Sequence, residues 1–176
     1  MLHLGTSKSY ARHFMPFLIT SFRDAYPHIK IHLDEGSSLD MTNSLLDFGN
    51  ELAIIAKVKE NPDICFIPFS QEEMLVILPP DHHLSGKKTI NFSDIAEEPI
   101  IMKEKGSGTR KLVSELFAKK DLTPNILMET SNTEFIKQLI QRGDGISFFV
   151  KATVTTEPKK KNWLLSPLMA KRSFSM

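Results

Sequence analysis

The sequence predicts an α/β protein with a mainly parallel sheet in each half of the chain. Short apolar segments alternate with amphipathic segments of helical period along its 176 residues, which is the order of strands and helices in such folds. Several apolar segments run directly into serine, threonine or glycine residues that precede a helix. No short-period repeat is present. These features indicate a globular protein of one domain or two small lobes.

In the first half, strands and helices are expected to alternate. Apolar residues at 2–4 and alternating apolar residues at 29–33 predict two strands. The first helix follows Thr6 and Ser7, and Pro16 places its regular part after Phe14 because proline lacks a backbone donor. We expect one apolar stripe of this helix to face a sheet, namely Phe14, Phe17, Leu18, Phe22 and Ala25.

The second helix is expected at residues 39–48, with Gly49 as its C-terminal cap. Its inward face is expected to contain Met41, Leu45, Leu46 and Phe48. The nearly continuous apolar run 52–56 then predicts a central parallel strand that is covered on both faces.

In the second half, apolar runs at 74–78 and 146–150 predict strands, and residues 163–168 predict a final short one. Leu112, Val113, Leu116 and Phe117 indicate a helix at 110–119. A further helix ends before Gly143 and carries Phe135, Ile136, Leu139 and Ile140. The lysine-rich segment 157–162 is interpreted as a solvated turn, with contact to an acidic partner as the alternative.

Composition excludes several classes of function. The formal net charge is +1, from 22 basic and 21 acidic side chains, so this chain by itself is a poor nucleic-acid binder. Cys65 is the only cysteine, which excludes a disulfide or a cysteine metal cluster within one chain. We expect it to be a buried, inert thiol. No signal peptide or membrane span is recognisable, which predicts a cytoplasmic protein.

The junction at residues 99–110 is the strongest candidate for a binding site. An apolar strand runs into Gly106, Ser107, Gly108 and Thr109, and a helix follows. Glycine lets backbone N–H groups approach a guest, and the first N–H groups of a helix have no intrahelical partner. Together with the helix dipole they favour an anion. An ordinary helix cap is the alternative interpretation of the same residues.

Similar junctions recur at residues 2–9, 29–38 and 125–133. In open α/β sheets, ligands bind beyond the carboxyl ends of the strands, where helix N-termini converge. The repeated pattern therefore predicts a polar cleft.

Catalysis and metal binding receive little support from the sequence. The chain contains no GxSxG, HExxH, Walker or GxGxxG motif. His3 and His32 are expected in or beside strands, because no metal-binding spacing links them. We therefore expect a protein that is not an enzyme and that requires no cofactor or metal.

The ordered set of motifs resembles the effector-binding domain of LysR-type transcriptional regulators over essentially the whole chain. The resemblance rests on residues 4–7 with 15–16 and 22–27, 35–37, 51–55, 74–84, 99–101 with 106–110, 131–134 and 143–146. It implies a fold like type 2 periplasmic binding proteins, with two Rossmann-like lobes that have mostly parallel sheets and are joined by crossover strands around a ligand cleft. The lobes would be residues 1–73 and 74–170.

The resemblance also implies a function and a set of contacts. The domain would sense a small effector, which we expect to be an anion, and pair as a homodimer or homotetramer. The alternatives are a periplasmic-type small-anion binding protein or a prephenate dehydratase-like enzyme on the same fold. Lys8 and Arg110 would either add charge at the rim or be solvated surface cations. By position, the ligand-binding residues would be Thr6, Ser7, Ser9, Ser37, Ser38, Gly106, Ser107, Gly108, Thr109, Ser131 and Asn132.

Two departures from the family pattern are expected to matter. A winged helix-turn-helix normally precedes this domain, whereas Met1 stands directly before the first strand. The chain is therefore expected to reach DNA only through an N-terminal domain that it lacks. Residues 171–176 resemble the start of the strand that returns to the first lobe, so a further strand and helix are expected to be missing.

Overall fold

The computed structural model describes residues 1–155 and 164–167. The chain divides into two compact units. Of the described residues, the first unit comprises Met1–Gln71 together with Gly106–Gly108, and the second unit comprises Glu72–Lys105, 109–155 and 164–167.

The first unit contains a parallel three-stranded sheet in the order β2 (Ile31–Gly36), β1 (Leu2–Ser7), β3 (Leu52–Ile54). Leu2 pairs with Ile31 and Leu4 with Leu52, so the carboxyl ends of the strands lie at one edge. The buried apolar side chains of this unit are Leu4, Tyr10, Met15, Met41, Ile55 and Ala56. Its elements are β1 (Leu2–Ser7), α1 (Lys8–His13), α2 (Met15–Ala25), β2 (Ile31–Gly36), α3 (Ser38–Leu46) and β3 (Leu52–Ile54).

The first helical segment is divided at Phe14, as the position of Pro16 predicts. Pro16 stands in the first turn of α2, where its missing N–H would have no helical partner in any case. The predicted inward stripe of this segment is confirmed only in part. Phe14, Leu18 and Phe22 are half-buried, whereas Phe17 is 75% exposed and Ala25 is exposed. Met15, which the stripe did not include, is fully buried.

Two expectations at the end of α3 are also wrong. Phe48 is 94% exposed instead of inward, and it adopts the left-handed conformation (φ 57°) that was expected of Gly49. A residue in the left-handed conformation ends the helix because the backbone changes direction there, and its side chain no longer continues the helical face. The strand after this turn, β3, lies at the edge of the described sheet, and Leu52 is half exposed, so it is not a central covered strand.

The second unit combines parallel and antiparallel pairing. β5 (Ile100–Lys103) pairs in parallel with β6 (Ile126–Thr130). β4 (Met74–Leu78) lies between β7 (Ser147–Val150) and β8 (Leu164–Pro167) and is antiparallel to both. The predicted strands and helices are present, but the sheet that contains β4 is not parallel. The elements are β4 (Met74–Leu78), α4 (Phe92–Ile95), β5 (Ile100–Lys103), α5 (Gly108–Ala118), β6 (Ile126–Thr130), α6 (Thr133–Arg142), β7 (Ser147–Val150), α7 (Ala152–Thr155) and β8 (Leu164–Pro167).

The core of the second unit contains a cluster of aliphatic and aromatic side chains from three strands and two helices. Ile136 and Ile140 of α6 pack against Ile101 of β5 and Phe149 of β7. The helix ends before Gly143, as predicted, and the left-handed conformation of Gly143 (φ 85°) caps it. The N-terminus of α6 at Thr133 follows closely on the carboxyl end of β6 at Thr130.

Cys65 is not the buried thiol that the sequence predicts. It is exposed and borders a cavity of about 520 Å³ in the first unit. The basic segment 157–162 and residues 171–176 lie outside the described residues. In the described part of the chain, no helix is both long and apolar enough to cross a bilayer.

Candidate functional site

The carboxyl ends of β1 and β2 bring several predicted residues together in the first unit. Ser7 pairs with Gly36 across the two strands, so Ser7 lies beside the start of α3. Thr6 is fully buried, and its hydroxyl donates a hydrogen bond to the Ile54 carbonyl at 3.1 Å. Thr6 therefore ties β1 to β3. Ser9 is half-buried on α1.

Ser37 and Asp40 form a capping box at the start of α3. The Ser37 hydroxyl accepts a hydrogen bond from the Asp40 N–H at 3.1 Å, and the Asp40 carboxylate accepts one from the Ser37 N–H at 2.9 Å. The side-chain hydrogen bond to Ser37 is the main cause that lowers the pKa of Asp40, and the positive charge of Lys8 adds to it. Ser37 thus has a structural role as the N-cap of α3.

The glycine-rich segment packs against the start of α3. The Leu39 N–H donates a hydrogen bond to the Gly106 carbonyl at 3.1 Å. Gly106 has φ +89°, and a methyl group at this position would lie 2.7 Å from the Ser37 Oγ. Gly108 is buried, with Ser38 and Ala56 as its neighbours. Ser37, Ser38, Gly106 and Gly108 therefore lie close together in the first unit.

In the second unit, the carboxyl ends of β5 and β6 lie side by side, with Lys103 opposite Thr130. Lys103 is buried, and its Nζ donates a hydrogen bond to the Thr133 Oγ1 at 2.5 Å. Thr133 is the first residue of α6. The low dielectric around a buried ammonium strengthens its attraction for a negative charge. This position is therefore suited to a negatively charged group.

A second buried ammonium lies nearby. Lys137 is 2% exposed and pairs with Glu134 at 2.9 Å. The Nζ atoms of Lys103 and Lys137 lie 5.6 and 6.0 Å from the centroid of the Phe149 ring, within reach of a cation–π interaction. One aromatic ring thus faces two cations at the end of β5.

Arg110 has a local structural role. It donates a hydrogen bond to the Lys103 carbonyl at 3.0 Å and pairs with the Glu129 carboxylate at 2.6 Å. The hydrogen bond from Arg110 is the main cause that lowers the pKa of Glu129. The charge of Arg110 is therefore balanced by a carboxylate on β6. Neither alternative from the sequence, a cation at the rim of the cleft or a solvated surface cation, describes this pairing.

The remaining predicted residues lie at helix starts in the second unit. The Asn132 side-chain oxygen accepts hydrogen bonds from the Glu134 and Phe135 N–H groups, both at 3.1 Å, so it caps α6. Ser131 is half-buried beside it, and Thr109 is half-buried in the first turn of α5. The ligand-binding roles of these residues, and of those in the first unit, stay predictions.

Sequence reasoning missed Lys103 and Thr133. A lysine at the end of the apolar run Ile100–Met102 was the available signal, because a charged residue in such a place needs a partner.

Glu104 was missed as well. Its Oε2 atom is buried and has no hydrogen-bond partner within the part of the chain that the structure describes. An acceptor in this state is suited to a ligand that also carries a hydroxyl or amine donor.

Comparison with known proteins gives a consistent result. The family model described as LysR substrate binding domain matches residues 1–171. The HTH-type transcriptional activator CmpR of Synechocystis sp. is 37% identical over 136 residues, which are 77% of this chain and 45% of that protein. YybE of Bacillus subtilis, an uncharacterised HTH-type transcriptional regulator, is 31% identical over 147 residues, 84% of this chain and 50% of that protein. The chain spans about half the length of the curated relatives it matches.

Solved structures agree with the sequence relatives. The regulatory domain of CcmR from Synechocystis PCC6803, in complex with 2-PG, has 29% sequence identity and a TM-score of 0.87, over 96% of this chain and 80% of that one. The effector-binding domain of QuiR in complex with shikimate has a TM-score of 0.88 over 99% of this chain and 83% of that one. Its identity is 24%, so it is evidence for the fold alone.

Proposed function

The chain belongs to the LysR substrate-binding domain family, and from this membership we propose that it is the effector-sensing part of a transcriptional regulator. The match over residues 1–171 is the observation that carries the proposal. The family is one of regulators and not of enzymes, and the comparisons favour this function over the carrier and the enzyme.

The effector is proposed to be a small anion that is read mainly by Lys103. This ammonium is buried and lies at the carboxyl end of a strand, beside the first turn of α6. A hydrogen bond to a charged group contributes about 1.5–3 kcal/mol, more than a neutral one. The structure of CcmR with 2-PG supports a small ligand for a related domain. The open acceptor on Glu104 favours an anion that also carries a hydrogen-bond donor.

Isothermal titration calorimetry tests the proposal. The purified chain is titrated with 2-PG, shikimate and inorganic phosphate, and the best binder is then measured with Lys103→Met. Loss of one charge-assisted hydrogen bond predicts binding that is roughly 10- to 150-fold weaker. Lys151→Met is the matched control, because it removes the same charge from an exposed pair with Glu73. Equal affinity of Lys103→Met and the wild type would remove Lys103 from the site.

The hydroxyl contacts are tested in the same way. Ser7→Ala and Thr109→Ala each remove one hydroxyl from a half-buried position. If either hydroxyl binds the effector, its loss weakens binding by roughly fivefold, which corresponds to about 1 kcal/mol. Ser37→Ala is less suitable because it also removes the cap of α3. Unchanged binding by both variants would exclude Ser7 and Thr109.

In the whole regulator, the effector is proposed to act by a shift in conformational populations. Several relatives are named HTH-type regulators, and the chain covers about half of their length, so DNA binding is assigned to the remainder of such a protein. The effector can shift the equilibrium between the two conformations by no more than the difference in its binding free energy to them. A cytoplasmic location follows from this role, since the operator is there.

We also propose that the protein self-associates as a homodimer or homotetramer. In the described sheet β2 has a partner on one side only, and Phe17 of α2 is 75% exposed. Burial of a phenylalanine side chain contributes about 1.5–3 kcal/mol. Phe17→Glu is therefore expected to shift the assembly toward the monomer in sedimentation velocity experiments. A wild-type chain that is monomeric at all concentrations would contradict the proposal.

A further inference from the structure

Two histidines and a glutamate meet at a place in the second unit that the proposed effector site does not include. His82 and His83 lie in the turn after β4, and Glu98 lies in the segment before β5. The Nε2 atoms of His82 and His83 are each 3.2 Å from a different oxygen of the Glu98 carboxylate. The two imidazole rings stack with their centroids 4.5 Å apart and their planes at 26°.

This geometry matches the requirements of a metal ion. One donor atom from each of the three residues lies within 4.8 Å of the other two. A tetrahedral zinc site with bonds of about 2.0–2.1 Å needs donor atoms about 3.3 Å apart. The two histidine–carboxylate distances of 3.2 Å reach different oxygens of Glu98, so both agree with this spacing when the carboxylate faces the ion with its two oxygens. The three donors already lie within 4.8 Å of one another, and a small movement of the exposed His83 side chain would bring them to the spacing of a metal site.

Burial and donor type narrow the choice of ion. The side chains of His82 and Glu98 are 12% and 18% exposed, whereas that of His83 is 67% exposed. Two donors are thus held in place, and the third leaves an open side through which an ion and its water ligands enter. Imidazole nitrogens suit zinc, nickel and copper, whereas magnesium and calcium prefer oxygen donors throughout.

We propose that His82, His83 and Glu98 bind one divalent transition-metal ion of the zinc class. The ion would link the turn after β4 to the start of β5 and so stabilise the second unit. In the metal-free geometry the Leu84 N–H donates a hydrogen bond to the His82 Nδ1 at 3.3 Å. A neutral histidine that binds metal through Nε2 carries its proton on Nδ1, so this contact breaks on binding. The Leu84 amide is therefore a local reporter of the bound ion.

Titration of the tag-free chain with ZnCl₂ tests the proposal directly. We expect saturable binding of one ion per chain by calorimetry, a rise in the melting temperature, and a shift of the Leu84 amide resonance. MgCl₂ is expected to produce none of these effects. His83→Ala and Glu98→Gln are each expected to weaken zinc binding by more than about tenfold, the minimum seen when only a supporting contact of a metal site is lost. Circular dichroism verifies that both variants are folded.

His32→Ala is the matched control. His32 also lies 3.2 Å from a carboxylate, that of Asp34, but no group of three donors among the described residues includes it. Its removal is expected to leave zinc affinity within about twofold of the wild type. The proposal is overturned if the wild type shows no saturable zinc binding, if folded His83→Ala binds as tightly as the wild type, or if His32→Ala weakens binding equally. None of these results depends on the effector site.

Discussion

Gly108→Ala separates the structural role of the glycine-rich segment from its role in binding. Gly108 is the first residue of α5 and packs against Ala56, which follows β3. A methyl group at Gly108 would lie closer than 3.0 Å to the Ala56 Cβ. Non-bonded carbon atoms have their optimal separation at about 3.5–4.0 Å. The substitution therefore forces the start of α5 and the segment after β3 apart.

Two opposing effects determine how much Gly108→Ala changes the free energy of unfolding. Overpacking of a well-packed site costs typically about 1–3 kcal/mol. Alanine gains back up to about 1 kcal/mol over glycine in a helix, and less at its first residue. We expect Gly108→Ala to lower the free energy of unfolding by about 1–2 kcal/mol. Gly86→Ala is the control, because no atom lies within 4 Å of the added methyl group and the change is expected to be neutral or slightly stabilising.

Urea unfolding followed by circular dichroism measures these differences, and hydrogen exchange of β1 and β3 amides locates them in the first unit. Ala56→Gly supplies a rescue, since it removes the carbon atom that the new methyl group meets. The double variant is expected to show a favourable coupling energy of about 1–2 kcal/mol in a double-mutant cycle. If Gly108→Ala is as stable as Gly86→Ala, or if Ala56→Gly gives no coupling, the steric argument is refuted.

Two further predictions concern hydroxyl groups with hydrogen bonds in the structure. Ser37→Ala is expected to cost about 1 kcal/mol through loss of the α3 cap. Because the pKa of Asp40 is lowered in the folded state, its contribution is complete above the ordinary value of 3.8 and is lost as the pH falls through the lowered value. The difference between wild type and Ser37→Ala in urea unfolding should therefore shrink below pH 3.8 and stay constant above about pH 5; a constant difference throughout would contradict the assignment. Ser147→Ala leaves the buried Ile101 carbonyl without the 2.6 Å hydrogen bond from Ser147, and we expect a loss of about 1–3 kcal/mol that Ser147→Thr partly restores.

Local patterns in the sequence predicted much of the secondary structure and the fold class. The division at Phe14, the helix end before Gly143 and the strand at Met74–Leu78 depend on residues that are close along the chain, and all three are confirmed. The resemblance to LysR effector-binding domains is confirmed by the family match and by the solved structures. The failures at Phe17, Phe48 and Cys65 concern burial, which depends on how segments pack.

The sequence by itself determined the order of elements, the family and the polar junctions at the ends of the strands. Only the tertiary structure revealed that Lys103 meets Thr133 across 30 positions, and that His82 meets Glu98 across 16. It also decided that Arg110 is neutralised by Glu129 and that β4 lies antiparallel to its neighbours. The physical reason is that propensity, capping and periodicity act over a few residues, whereas strand register and side-chain pairing depend on contacts between distant segments.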